Sequence, residues 1–125
     1  MADRRVLITG SRNWSDEWAI VEVLAIEVKK AHLDGGNVVV VHGDCPTGAD
    51  KIAQEICDRS GIATERHPAD WKKHGMAAGP IRNQEMVDSG VDICYAFSKS
   101  NSRGTKDCKA RASAAGIEVI ERGVV

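Results

Sequence analysis

The chain has 125 residues, a length for one domain, since two would each be too small to hold a core. Hydrophobic residues make up 42% and charged residues 28%, which excludes disorder; aromatics at 4% imply an aliphatic core. Lys plus Arg is 17 against 18 for Asp plus Glu, so a net charge of −1 supplies no global attraction to nucleic acid and leaves room only for a local basic cleft.

The opening MADRRVLITG lacks the apolar centre of a signal peptide, and no apolar run approaches the roughly 20 residues of a membrane span. With Cys45, Cys57, Cys94 and Cys108 too scattered for a CxxC pair, the thiols are expected to be reduced and the protein cytoplasmic, with no membrane partner. Cys57, Cys94 and Cys108 fall on apolar faces and are expected to be buried. A zinc site from His42 and Cys45 lacks the usual ligand-pair spacing, so no metal is expected.

Short apolar runs alternate with helical stretches, which predicts an α/β domain with a parallel sheet. Arg5–Thr9 reads as the first strand, ended by Gly10. A helix follows from about Asp16 to Leu33, with Ser15 as N-cap. Val21, Leu24, Ala25, Val28 and Ala31 recur at helical spacing. Val38–Val41 is apolar on both faces, as a central strand covered on both sides requires. Thr47 and Asp50 have capping-box spacing for a helix to Arg59, closed by Gly61. Ile62–His67 is a weaker, more polar strand near an edge.

Residues 68–79 read as a long loop, and Pro80 opens a helix to about Ser89. Val91–Phe97 is the fourth strand and residues 98–103 a polar loop. A helix from Thr105 to Ala115 and a strand from Ile117 to Ile120 complete the chain. The pattern predicts a Rossmann-like three-layer domain, with five parallel strands in the order 3-2-1-4-5 and helices on both faces.

In such a sheet, ligands bind beyond the carboxyl ends of the strands. After the first strand come Gly10, Ser11, Arg12 and Trp14. Here Ser11 and Arg12 suit a phosphate, and Trp14 either stacks on a base or packs on the core. After the second come His42, Gly43, Asp44, Cys45, Thr47, Gly48, Ala49 and Asp50. Two glycines, a hydroxyl and a helix N-terminus suit an anion, without P-loop or GxGxxG spacing. Asp44 and Asp50 suit ribose hydroxyls, Asp50 equally a cap, and His42 a base or a structural role.

The third loop carries Asp70, Trp71, two lysines and Gly79, followed by Arg82 and Asn83. Trp71 either stacks on a base or lids the core. Arg82 lies in a first helical turn, where a cation opposes the dipole unless it faces an anion or carboxylate. After the fourth strand, Ser102, Arg103, Gly104 and Thr105 form another hydroxyl, cation and glycine set at a helix start. The topology brings these loops to one edge.

GSRNW, VVHGDCPTGAD, PADWKKHGMAAGPIRNQEM and SRGT, in this order, resemble the YspA/YpsA-related family of the SLOG superfamily, over about residues 4–120. That superfamily is Rossmann-like and includes the Lonely Guy phosphoribohydrolases and the DNA-processing protein DprA. The resemblance implies a site for a nucleotide or nucleotide-derived ligand, such as a nucleoside monophosphate, NAD or an ADP-ribose derivative, with no further cofactor. It also implies a homo-oligomer, commonly a dimer, for which the first helix offers a face.

Arg82-Asn83-Gln84-Glu85-Met86 resembles the Lonely Guy Arg-Lys-x-x-Met segment, and Ser102–Thr105 part of its PGGxGTxxE segment. The glutamate of the latter falls on Cys108, with Asp107 one residue early, about 100° round the helix. The leading expectation is therefore a binding module that senses or sequesters its ligand. The alternative is a nucleotide hydrolase, with Arg82 stabilising charge and Asp44, Asp50, Asp70 or Asp107 as base. A DprA-like DNA-handling protein is the third, disfavoured by the charge.

Overall fold

The computed structural model describes residues 3–99 and 102–124. Five strands, β1 (Arg4–Gly10), β2 (Val38–His42), β3 (Ala63–Arg66), β4 (Ile93–Lys99) and β5 (Glu118–Val124), form one parallel sheet in the order β3-β2-β1-β4-β5. The expected α/β class, strand count and order are all present. The helices are α1 (Glu17–Leu33), α2 (Ala49–Ser60), α3 (Trp71–His74), α4 (Ala78–Asp88) and α5 (Arg103–Ala114), with a 3-10 turn at Gly75–Ala77.

Strand alternation divides the core between two layers. Val6 and Ile8 of β1, Val40 of β2 and Tyr95 and Phe97 of β4 face α1 and α2, where Ile20, Val23, Leu24, Ala53 and Ile56 meet them. Leu7, Val41 and Cys94 face the other way, against Met86, Val87, Cys108 and Ala112 of α4 and α5. The Val38–Val41 run is therefore covered on both sides, and β2 is an interior strand. Cys57, Cys94 and Cys108 are buried free thiols; burial pushes the Cys57 thiol up to about 12.

Several boundaries differ from expectation for local reasons. The N-cap of α1 is Asp16, whose carboxylate accepts from the Ala19 N–H at 3.2 Å, and not Ser15. The buried face of α1 runs through Ala19, Ile20, Val23, Leu24, Glu27 and Ala31; Ala25 points outward, and Val21 and Val28 are half-buried. Glu27 escaped the apolar pattern. Its buried carboxylate takes hydrogen bonds from Arg4 and from the Tyr95 hydroxyl, the latter at 2.6 Å. Burial pushes that carboxyl up, and its hydrogen bonds more than offset the push, so it lies below the usual range.

No capping box opens α2: the N-cap is Gly48, without a side-chain cap. The expected loop at 68–79 contains α3 and the 3-10 turn, started by Asp70, which accepts from the Lys73 N–H at 3.1 Å. Pro80 sits in the first turn of α4 but two residues inside its start, where an N–H lacks an intrahelical partner anyway. β4 begins two residues later than expected and runs to Lys99. β5 extends to Val124, pairing with β4 throughout despite its charged residues. Residues 100 and 101 of the expected polar loop lie outside the described residues.

Candidate functional site

The order of the sheet places β1 between β2 and β4, with crossovers leaving β1 and β4 on opposite faces. This divergence opens a crevice beyond their carboxyl ends. A cleft of about 930 Å³ occupies it. Its floor is the end of β1, from Ile8 to Gly10. One wall is the turn Ser11–Asn13 with Gly43, Cys45 and Asp50; the other is α4 from Gly79 to Met86 and the start of α5 from Ser102 to Asp107. Trp71 and Met76 stand on the rim, and Lys99 at the end of β4.

Of the residues singled out from the sequence, Gly10, Ser11, Arg12, Gly43, Asp50, Trp71, Gly79, Arg82, Asn83, Ser102, Arg103, Gly104, Thr105 and Asp107 line this cleft. Trp14, Asp44, Thr47, Gly48, Ala49 and Asp70 do not. Trp14 is buried, edge-on to Phe97 with ring centroids 5.5 Å apart, and its indole N–H donates to the Asp16 carbonyl at 2.8 Å. It is a core residue. Asp44 faces Arg66 at 3.8 Å, and Asp70 is spent as a cap.

The start of α2 is sealed as an anion cradle. Gly48 has φ +77°, and a Cβ there would come within 2.2 Å of the Ser11 carbonyl oxygen. The Ala49 N–H, the first of the helix, donates to that same carbonyl at 3.3 Å. The β1–α1 turn thus takes the place a phosphate would need. Ser11 is committed likewise: its hydroxyl accepts from the Lys99 N–H at 2.8 Å and clips the ends of β1 and β4 together.

Arg82 is the centre of the opposite wall. Its guanidinium is buried against Gly43, donating from Nη1 to the Gly43 carbonyl at 2.5 Å and to the His67 carbonyl at 3.4 Å. Nε donates to Asn83 Oδ1 at 2.9 Å. No carboxylate forms an ion pair with it among the described residues, and no hydrogen-bond partner of Nη2 occurs among them. Gly43 is what admits the side chain, since a Cβ there would stand 2.4 Å from Nη1. Asn83 passes the contact onward through Nδ2 to Asp107 Oδ2 at 3.0 Å, and Arg111 donates to that oxygen at 2.9 Å. Burial raises the Asp107 carboxyl, and the bonds from Arg111 and Asn83 outweigh it, holding the group below the usual carboxylate range.

Position 108 points the other way. Cys108 is wholly buried on the α5 face of the core, so only Asp107 presents a carboxylate to the cleft from this turn. Asp50 is buried on the facing wall, accepting from the Cys45 N–H at 3.3 Å. Burial pushes its carboxyl upward and outweighs the opposing pull of His42, the bonds from Cys45 and the charge of Arg82. His42 is structural: Nδ1 accepts from the Asp44 N–H at 3.0 Å, so Nε2 carries the proton toward Gln54 Oε1 at 2.7 Å. Among the described residues no group of three His, Cys, Asp or Glu side chains is placed to hold a metal ion.

At the start of α5, Ser102 caps the helix, accepting from the Thr105 N–H at 3.3 Å and sharing a 2.8 Å bond with the Thr105 hydroxyl. The N–H groups of Arg103 and Gly104, in the first turn of α5, have no hydrogen-bond partner among the described residues and lie in the positive field of the helix end. Around the cleft stand Arg12, Arg82, Lys99 and Arg103 against Asp50 and Asp107, in a chain whose net charge is −1. Sequence reading missed Ile8, Thr9, Asn13, Met76, Pro80, Met86 and Lys99 in the lining, and Arg111 behind Asp107. Only Arg111 had a signal, its spacing of four from Asp107 on one helix.

A parallel sheet of this order with a cationic crevice at its switch point defines a Rossmann-like domain. The chain belongs to the YAcAr family, the YspA, cpYpsA-related SLOG family, whose model matches residues 4–74. It is 44% identical over 125 residues to the Gene 61 protein of Mycobacterium phage D29, covering 96% of this chain and 97% of that one. Among solved structures, it is similar to the C-terminal domain of a hydrogenase from Pyrococcus furiosus, at 19% identity and a TM-score of 0.45, covering 98% of this chain and 94% of that one.

Proposed function

We propose that the cleft binds a nucleotide or nucleotide-derived ligand, of the class of nucleoside monophosphates, NAD or ADP-ribose derivatives, to sense or sequester it in the cytoplasm. The observation that carries this reading is the excess of four cations over two carboxylates around one cleft in a chain of net charge −1. Membership of a SLOG family supports the nucleotide class. In this reading the α5 N-terminus with Arg103 takes a phosphate, Arg82 presents Nη2 to the ligand, and Trp71 on the rim stacks on a base. The ligand is held by the chain's own residues, without a further cofactor.

Asp107 favours one second reading, hydrolysis of the ligand's glycosidic bond, because its carboxylate lines the cleft. Against it, both Arg111 and Asn83 donate to the Oδ2 of that carboxylate and hold it below the usual carboxylate range. Calorimetric titration with AMP, NAD and ADP-ribose tests binding, and chromatography of the same mixtures tests turnover. Binding with intact ligand is expected; release of free base establishes the hydrolase. Replacing exposed Arg103 by Ala is expected to weaken binding by about 1.5–3 kcal/mol, the worth of a charge-assisted hydrogen bond, with an unchanged melting temperature.

A further inference from the structure

The Arg82 guanidinium is a rigid plane, and two of its three nitrogens are bound: Nη1 by the Gly43 and His67 carbonyls, Nε by Asn83 Oδ1 at 2.9 Å. A plane held at two nitrogens carries the third to a fixed place. That third nitrogen, Nη2, has no hydrogen-bond partner among the described residues. No fully buried side-chain nitrogen among them lacks one, so Nη2 opens on the cleft that Arg82 lines.

The bond on Nε depends on which way round the Asn83 amide sits. Turned by 180°, the amide would set Nδ2–H against Nε–H, donor against donor. What forbids that turn lies on α5. Asn83 Nδ2 donates to Asp107 Oδ2 at 3.0 Å and to the Gly104 carbonyl at 3.3 Å, and a turned amide would put Oδ1 against both acceptors. Asp107 is itself held from behind. Arg111 donates from Nε to the same Oδ2 at 2.9 Å, and its Nη1 reaches back to Gln84 Oε1 on α4 at 3.0 Å. Arg111 does not line the cleft.

We propose that Asp107 and Arg111 are positioning residues for ligand binding: Asp107, held by Arg111, sets the Asn83 amide, which holds the Arg82 guanidinium with Nη2 toward the anionic group of the ligand. This rests on the reading of the cleft as an anion site, and it gives the Asp107 carboxylate a part other than that of a base. The relay opposes simple electrostatics. Removing a carboxylate from the wall of an anion site strengthens the hold on the anion. Removing one that aims a cation weakens it.

The test has two arms on the full chain, with circular dichroism to confirm folding. Calorimetry measures the affinity for AMP, NAD and ADP-ribose. NMR measures solvent exchange of the Arg82 Nε–H without ligand, its resonance assigned by its absence in Arg82→Lys. Asp107→Ala is expected to weaken binding about fivefold and to speed that exchange about tenfold, in keeping with coupling inside one hydrogen-bonded network. Arg111→Met, outside the cleft, should do both in smaller measure and serves where Asp107→Ala does not fold. Arg82→Lys keeps the charge and lacks Nε, so in that background Asp107→Ala should tighten binding instead. Unchanged or tighter binding on Asp107→Ala alone overturns the proposal, with lost turnover marking Asp107 as the base. An equal loss in the Arg82→Lys background also overturns it, since Asp107 would then act on structure alone. If none of the three probes binds the parent, the ligand reading fails and exchange alone decides the relay: faster exchange in Asp107→Ala upholds it, and unchanged exchange overturns it.

Discussion

Glycine 48 and glycine 61 both have positive φ, +77° and +70°, but their surroundings differ. A Cβ on Gly61 meets nothing within 4 Å, whereas one on Gly48 meets the backbone of Ser11 and Arg12 at 2.2–2.6 Å. Gly61→Ala should therefore cost only the αL strain, about 1–2 kcal/mol, while Gly48→Ala, at a ψ of −148° that essentially only glycine adopts, combines a strain of about 1–3 kcal/mol with overpacking of about 1–3 kcal/mol. Urea titration of the two variants measures the difference. Gly43→Ala should act differently again. Its clash is with the end of the Arg82 side chain, which can move, so the loss should appear in ligand affinity more than in stability. Both close approaches pass between residues distant in sequence, which is why the sequence presents these glycines only as flexible loop residues.

Among the elements, β3 is the short edge strand, and its polar face is tied to the sheet by charge. Arg5 of β1 donates to Glu65 of β3 at 2.9 Å, and His67 lies 2.6 Å from the same oxygen. The bonds from Arg5 and then His67 hold the Glu65 carboxyl down to about 2, below its ordinary 4.5. A depressed carboxylate stabilises the fold above its unfolded pKa, so this contribution is complete above about pH 5 and is lost as pH falls toward 2. Glu65→Gln should therefore flatten the acid limb of the stability–pH curve between those limits, and melting curves across that range measure it. The alternation of β3 was legible as a weak polar strand. Its partner Arg5, sixty residues away, was not.

At the scale of the whole molecule, the cleft concentrates positive charge that the chain as a whole does not have. Ligand affinity should fall as the Debye length shrinks from about 10 Å at 0.1 M salt to about 3 Å at 1 M, and a neutral nucleoside should lack this dependence. Titrations at the two salt concentrations measure it.

Periodicity and topology together reached far into this protein. A run apolar on both faces must lie inside a covered sheet, and alternating strands and helices wind in one hand, so Val38–Val41, the strand order and the gathering of loops at one edge were determined by the sequence. Chain order also identified Arg82 and the Ser102–Thr105 turn as neighbours of one crevice. The tertiary structure decided how each group is spent. Trp14 went to the core, Ser11 and Asp70 to backbone N–H groups, and the start of α2 to the Ser11 carbonyl. Buried Glu27 interrupts the apolar face of α1 because Arg4 and Tyr95 reach it from other elements. Polar side chains can be satisfied by many partners, and which one they meet depends on distances between segments that no local pattern encodes.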